Sequence, residues 1–530
     1  MNKIAVYLNE HLLGEVSSSK SIRQRYSRDN SILTVTPEIV VFPRVTNDIR
    51  KAARFAWQLA EKGHPLAITA RGLGYDGTGA AIGKGMVIST ATHLNNIIHL
   101  AVKDRLVHVQ PGVSVPDLIT TLKWQGLTVF NAPAQGTVGG AIANNALGMN
   151  GAFSNAIDKL EVVLANGDLI ETTRLNKRDL SKKLGLQTFE GEVYRKLEGL
   201  IEDNEALIQK LADDPVRDNT GYKNLSKVKN KDGSFDLTPL FVGSQGTLGI
   251  ISEVVLKADF YSQEEIQVVA VADTRELAQD ICEQIAKLEP TALATYDGEL
   301  FRRAHTSGAQ FSLLGSTDDL GTVIYVKFND FSDHMRMNKL KKMRKLMTKL
   351  GVGMIDSLDR QFAEFTAITD INESLRRTAI DHEIALPLLD GSFIPSDRRE
   401  EFAVSLAELA SKHHIELPLI THPLTGTFYA YPTLKLDVVS EKQKLFRLLN
   451  DYATLVDHCN GAFVSDGGEG RLKSNAAWSV LDDDEAHLYE QLRAVFDPFG
   501  TLNPGVKQKN DIRTLVSSLR SSYDISDFVA

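Results

Sequence analysis

Cysteine is nearly missing from this chain of 530 residues: only Cys282 and Cys459 occur, far apart and without metal-ligand spacing. That excludes a disulfide scaffold and a thiolate zinc site, and it fits a reducing compartment. Basic charge is not in excess either. A net charge of −9 argues against general affinity for nucleic acid, because polyanion binders usually carry a basic surface. Long apolar runs are also lacking. No window approaches the roughly 20 residues that a membrane span needs, and the run from Ile4 to Leu8 is too short for the core of a secretory signal. A cytoplasmic location is therefore expected. There is no internal repeat and no low-complexity linker. What is present is ordinary: 43% hydrophobic and 24% charged residues, in a chain long enough to need two or three cores.

Local patterns give the elements. Thr46-Asn47-Asp48 reads as the cap of a helix whose apolar positions Ile49, Ala52, Ala56 and Leu59 recur at helical spacing and which ends at Gly63. Leu66 to Thr69 reads as a short buried strand. Val107 and Val109 alternate with polar residues before Pro111-Gly112, as in a half-buried strand and turn. Ser114, Pro116 and Asp117 open a helix. Leu160 to Leu164, Asn166-Gly167 and Leu169 to Thr172 form a hairpin pattern, with a type I′ turn expected at Asn-Gly. Beyond residue 258 the pattern becomes strand 266–271, helix 274–288, strand 322–328 and helix 335–350, with a last helix at 484–496. That is the pattern of a separate α+β domain.

The most conspicuous segment is Ala70 to Ala81, with a literal G-x-G-x-x-G at Gly72, Gly74 and Gly77. A Rossmann fingerprint requires a helix directly after the turn and an acidic residue about 20 positions on. Here Gly79, Gly83 and Gly85 lead into the strand-like Met86-Val87-Ile88, and no acidic residue lies in Ala91 to Asn96. The fingerprint fails its own test. What remains is a loop of unobstructed backbone N–H groups, with Arg71 at its mouth, suited to wrapping a pyrophosphate. Two more such stretches follow, Gly136 to Asn145 and Gly243 to Gly249. Any one is explained by glycines making turns; three in one half of the chain, each with Ser, Thr or Asn donors, are less easily explained so.

The order and content of these segments resemble the FAD-binding domain of the vanillyl-alcohol oxidase/p-cresol methylhydroxylase superfamily. Within it the chain is similar to the branch of D-lactate dehydrogenase, glycolate oxidase and D-2-hydroxyglutarate dehydrogenase. Tyr26-Ser27-Arg28-Asp29, Pro37 to Pro43, Thr220-Gly221-Tyr222 and Asp497 to Gly505 extend the likeness over nearly the whole chain. The resemblance implies an α+β fold: an N-terminal segment (1–36), a two-subdomain FAD-binding domain (37–258), an α+β substrate or cap domain with an antiparallel sheet (259–485), and a C-terminal segment (486–530) returning to the FAD domain. It also implies FAD held by Arg71, Gly72, Leu73, Gly74, Tyr75, Asp76, Gly79 and Ala80 of the first loop. Gly136, Thr137, Gly139, Gly140, Asn144 and Gly148 of the second loop, Gly246, Thr247, Gly249 and Ile251 of the third, and Asn503 complete the set. Relatives with covalent flavin often carry histidine in the first loop. Tyr75 stands there, and the second loop has no cysteine, so non-covalent FAD is expected.

The resemblance thins in the second half. Metal-dependent relatives carry two histidines around a Gly-Asp-Gly-Asn and later a Glu-His-Gly. Here His422 keeps the first histidine, Tyr429 replaces the second, and Asp466-Gly467 replaces Glu-His. One histidine and one shorter carboxylate are a poor ligand set, so no metal is expected. His422, Tyr429, Asp466 and Arg376 are the catalytic candidates. His422 is a base or a satisfied core histidine; Tyr429 orients or deprotonates a hydroxyl; Arg376 and Arg377 grip a substrate carboxylate or form a solvated helix face. Glu469 and Arg471 receive no role. The implied activity is FAD-dependent oxidation of a small 2-hydroxy acid or related alcohol, passing electrons to a quinone, a protein or oxygen. The alternatives are a sugar- or lactone-type flavin oxidase and a non-catalytic flavin-fold subunit of an electron-transfer complex. Finally, Arg336 to Lys349 holds seven cations and no acid, with Met337, Leu340, Met343, Met347 and Leu350 as an apolar stripe. It reads either as a peripheral membrane contact or as an amphipathic helix packed on the cap sheet.

Overall fold

The computed structural model describes residues 2–306, 308–371, 375, 379–380, 383–435 and 438–520. Three sheets organise them. The first has the strand order Glu15–Ser17, Ile39–Phe42, Met86–Ser89, Ile68–Arg71, the last three mutually parallel. The second is antiparallel, in the order Leu169–Thr172, Ile157–Val163, Ile250–Lys257, Leu106–Val109, Ile97–Ala101. The three glycine loops lie together beside these two sheets, the first of them following the strand Ile68–Arg71 and the last preceding the strand Ile250–Lys257. The third is a seven-stranded antiparallel sheet in the order Met354–Asp356, Ile266–Ala272, Thr322–Phe328, Ala292–Asp297, Leu419–His422, Thr427–Ala430, Leu389–Phe393.

Period-2 and period-3.6 patterns explain most of this. Val107 and Val109 are buried on one face of their strand, while His108 points to Glu253 at 2.7 Å. The helix Thr46–Glu61 buries Ile49, Ala52, Ala53, Ala56 and Ala60 and stops before Gly63, whose φ of +79° costs glycine little. Its start differs from expectation. Val45 is the N-cap, without a side-chain bond, and Asp48 lies inside the first turn. The buried Asp48 carboxylate accepts the backbone N–H groups of Leu13 (2.8 Å), Gly14 (3.0 Å) and Arg44 (2.9 Å), so it anchors the preceding chain as well. The Asn166-Gly167 turn also differs. Only Gly167 has positive φ; Asn166 Oδ1 accepts Asp168 N–H at 2.9 Å instead, which widens the connection beyond a two-residue type I′ turn.

The basic helix Asp333–Leu350 packs on the cap sheet. Leu340, Met343 and Met347 join one core with Ile281 and Ile285 of the helix Arg275–Ala286. Arg336 is buried and paired with Glu264, whereas Met337 and Leu350 are exposed. The expected stripe is thus narrower than the sequence pattern.

The chain after 496 returns to the first two sheets. Leu502 bridges Ile68, and Leu519 bridges Leu33. A buried ion pair fixes this closure: Lys507 Nζ and Glu469 Oε2 are 2.7 Å apart with both side chains fully buried, and Glu469 Oε1 also accepts from Trp478 Nε1 at 3.0 Å. Removing one partner strands the other charge in low dielectric. Lys507→Met is therefore expected to cost about 3–5 kcal/mol, read as a fall in the urea midpoint, and Glu469→Gln added to it should recover part of the loss.

Candidate functional site

An open cleft of about 1070 Å³, counted out to solvent, lies at the C-terminal end of the strand Ile68–Arg71. All three glycine loops line it. Of the residues expected at the cofactor, Arg71, Gly72, Leu73, Gly74, Tyr75, Asp76 and Ala80 lie on its wall, with Gly136, Thr137, Gly139, Gly140, Asn144, Gly246, Gly249 and Ile251. Four lie behind it. Gly79 turns the first loop at φ +80°, Gly148 packs against Asn131, Thr247 is buried and bonded to Tyr222, and Asn503 is a buried tie. Pro111 and Gln135 line the cleft from outside the three loops, and Ser244, Gln245 and Ile250 line it beside Gly246 and Gly249.

Glycine is required where the loops approach one another. A Cβ on Gly72 would sit 2.2 Å from Thr137 Oγ1, and Gly74 and Gly136 hold φ of +80° and +97°. Gly136 has nothing within 4 Å of that position, so its backbone faces open space. Thr137 Oγ1 caps the short helix Val138–Ala143 by accepting Gly140 N–H at 3.2 Å.

A polar chain ties the loops together. Asp76 accepts from Thr78 N (2.9 Å), Ala80 N (2.7 Å) and Asn144 Nδ2 (3.0 Å). Asn144 Oδ1 accepts from Gln245 Nε2 (3.0 Å), whose own Oε1 accepts Gly470 N–H (2.9 Å). Asn503 Nδ2 donates to Ala80 O (2.9 Å) and Gln245 O (2.7 Å), while Arg471 donates to Gly79 O (2.6 Å) and Asn503 Oδ1 (2.8 Å). Arg471, which received no role from sequence, thus buttresses the first and closing loops. Arg71 behaves similarly. Its guanidinium donates to Arg28 O at 2.6 Å and lies over the Tyr26 ring, so it backs the loop and does not stand free at its mouth.

A second constellation lies one residue past the cleft wall. Ala146 lines the cleft, and the N–H of its neighbour Leu147 donates to Asp466 Oδ1 at 2.8 Å. Tyr429 Oη donates to Asp466 Oδ2 at 2.9 Å and lies 3.4 Å from His422 Nδ1. His422 and Tyr429 come from paired strands of the cap sheet, Leu419–His422 and Thr427–Ala430. The structure thus brings together three of the four catalytic candidates. Arg376, like Arg377, lies outside the described residues. Among the described residues no cluster of His, Cys, Asp and Glu could hold a metal ion.

Burial dominates the protonation of these groups. It pushes the Asp466 carboxyl up, and it raises the Tyr429 phenol well above 10, with Asp466 adding to that effect. The phenol therefore stays protonated, and of its two sequence roles the geometry supports orientation. Because its single proton goes to Asp466, the phenolic oxygen is the acceptor toward His422. That places the imidazole proton on Nδ1 and the lone pair on Nε2. Burial also lowers His422 to about 4, from 6.5. The sign for stability follows: between pH 6.5 and 4 the unfolded chain binds a proton that the native chain refuses, so stability falls as pH falls through that window. His422→Asn should show a shallower loss of Tm across it than the parent protein.

Comparisons with known proteins bear on the cofactor and the fold. A model described as an FAD binding domain matches residues 37–173, and one described as the C-terminal domain of FAD linked oxidases matches residues 262–506. The chain thus carries an FAD binding domain and the C-terminal domain of FAD linked oxidases, and FAD is its cofactor. D-2-hydroxyglutarate dehydrogenase of Haemophilus influenzae is 23% identical over 97% of this chain and 53% of its own length. Glycolate oxidase subunit GlcD of Bacillus subtilis is 23% identical over 91% of this chain and 92% of its own. The chain spans about half the length of the D-2-hydroxyglutarate dehydrogenases it matches. The solved 4-ethylphenol oxidase from Gulosibacter chungangensis shares the fold, with a TM-score of 0.69 at 12% identity, covering 96% of this chain and 97% of that one.

The cleft fits such a cofactor. Its left-handed glycines expose backbone N–H groups suited to phosphate oxygens.

Proposed function

We propose that this chain oxidises a small 2-hydroxy acid or related alcohol, using FAD bound non-covalently in the glycine-loop cleft. The observation that carries the reading is the convergence of His422, Tyr429 and Asp466 against the second glycine loop. FAD, when bound, supplies the acceptor for the hydride that leaves the carbinol carbon. The protein's part is to take the hydroxyl proton. His422, neutral above about pH 5, offers Nε2 as the base. Tyr429 holds the other ring nitrogen, and Asp466 holds Tyr429. By the resemblance, Tyr429 and Asp466 stand at positions where metal-dependent relatives carry ligands.

Non-covalent binding is supported by the cleft wall, which includes neither histidine nor cysteine. The names of the relatives, a 2-hydroxyglutarate dehydrogenase and a glycolate oxidase subunit, point to acids bearing a hydroxyl next to the carboxylate. The test is reduction of an artificial dye by the purified chain with D-lactate, glycolate, D-2-hydroxyglutarate and sugar acids. Turnover with at least one 2-hydroxy acid is expected; turnover with sugars or lactones alone contradicts the reading.

A further inference from the structure

Arg217 bridges two segments that meet at the candidate site. It makes no ion pair with a carboxylate among the described residues. Its Nε donates to Ser465 O at 2.9 Å, and its Nη2 donates to Asn145 O at 2.5 Å. Those two carbonyls precede the two ends of one hydrogen bond. Ser465 is followed by Asp466, Asn145 by Ala146 and Leu147, and Asp466 Oδ1 accepts Leu147 N–H at 2.8 Å. One planar guanidinium, whose fork fixes two directions at once, therefore spans the second glycine loop and the segment that carries Asp466.

The neighbouring sequence completes the clamp. Asn219 Nδ2 donates to Ser465 O and Gly467 O, both at 2.8 Å, and Asn219 Oδ1 accepts from Asn145 Nδ2 at 2.8 Å. Asn145 holds φ +52°, a left-handed conformation uncommon outside glycine, and its Oδ1 accepts from Ser154 Oγ at 2.8 Å. A local backbone outlier held by several side-chain and main-chain bonds is over-determined by its surroundings.

We propose that Arg217 is a positioning residue for the candidate site: it locks the Asp466 carboxylate against the flavin-side loop and so fixes the Tyr429 hydroxyl and, through it, the His422 ring. The assignment of a catalytic outcome to this clamp rests on the activity proposed above. The charges facing Asp466 fit the role. Tyr429 reaches it from the cap sheet with His422 behind Tyr429, and Asp390, paired in register with Tyr429, is held by Lys473 Nζ at 2.5 Å. Arg217 is the cation whose charge favours the ionised carboxylate, against the burial that opposes it.

The test uses the full chain with FAD. Arg217→Met, Arg217→Gln and Arg217→Lys are compared in the parent and Asp466→Asn backgrounds by anaerobic flavin reduction and by hydrogen exchange of the peptide carrying Leu147. Arg217→Met and Arg217→Gln should slow reduction roughly 30-fold with little change in KM, and Arg217→Lys should recover most of it. In the Asp466→Asn background the same changes should cost less than about threefold, because the clamp then holds nothing that acts. The Leu147 amide should exchange at least tenfold faster in Arg217→Met and Arg217→Gln only. Equal effects in both backgrounds, or no rescue by lysine, overturn the assignment in favour of a merely structural role. If no acid reduces the flavin of the parent, the proposed activity fails, and the clamp is then judged on exchange alone. Unchanged Leu147 exchange overturns it.

Discussion

Asp76→Ala should lose FAD during purification, with an affinity at least a hundredfold below that of the parent chain. The carboxylate accepts Thr78 N–H, Ala80 N–H and the Asn144 amide, and also the Thr78 hydroxyl at 2.9 Å. Hydrogen bonds to a charged group contribute about 1.5–3 kcal/mol each. Losing two of them without replacement is about 3–6 kcal/mol, and each 1.4 kcal/mol that appears as lost affinity is tenfold. The effect concentrates on binding because these bonds shape the two loops of the cleft wall and not a core. Asp76→Asn keeps the shape but only one acceptor oxygen, so its loss should fall between. The check is the flavin-to-protein ratio after gel filtration, followed by reconstitution titrations monitored by flavin fluorescence.

His422→Ala should keep its FAD and slow flavin reduction by about a hundredfold to ten-thousandfold, the range for loss of a positioned base. Retention is expected because His422 is not on the cleft wall, whereas its Nε2 carries the lone pair that Tyr429 and Asp466 orient. Tyr429→Phe removes one hydrogen-bonded link and leaves the imidazole, so a loss of about tenfold is expected. Both are read by stopped-flow under anaerobic conditions. A His422→Ala rate equal to that of the parent would move the base elsewhere, with Asp466 the next carboxylate in line.

The glycine loops and the cap-sheet candidates were legible because their chemistry is written in residue type. Gly72, Gly74, Gly136 and Gly246 hold backbone positions that few other residues fill, and His422, Tyr429 and Asp466 stand at the positions of recognisable motifs. Their tie to one another was not legible. Gln245 contacts Asn144 across 101 positions and Gly470 across 225, and no local pattern marks a glutamine as the link between three loops. Arg217 was missed for the same reason, being an ordinary cation on the rim of a loop until folding brings Ser465 and Asn145 to it. The local misreadings have a common cause. Asp48 and Asn166 are residues whose short polar side chains bond to nearby backbone in several geometries, and tertiary packing chooses among them.

The most direct measurement is anaerobic absorbance of the purified, FAD-loaded chain titrated with D-2-hydroxyglutarate, D-lactate and glycolate. The account predicts a yellow protein whose flavin is released on acid precipitation and whose visible flavin band bleaches with at least one of these acids. Flavin that remains oxidised with all three, in protein that binds FAD stoichiometrically, would contradict it.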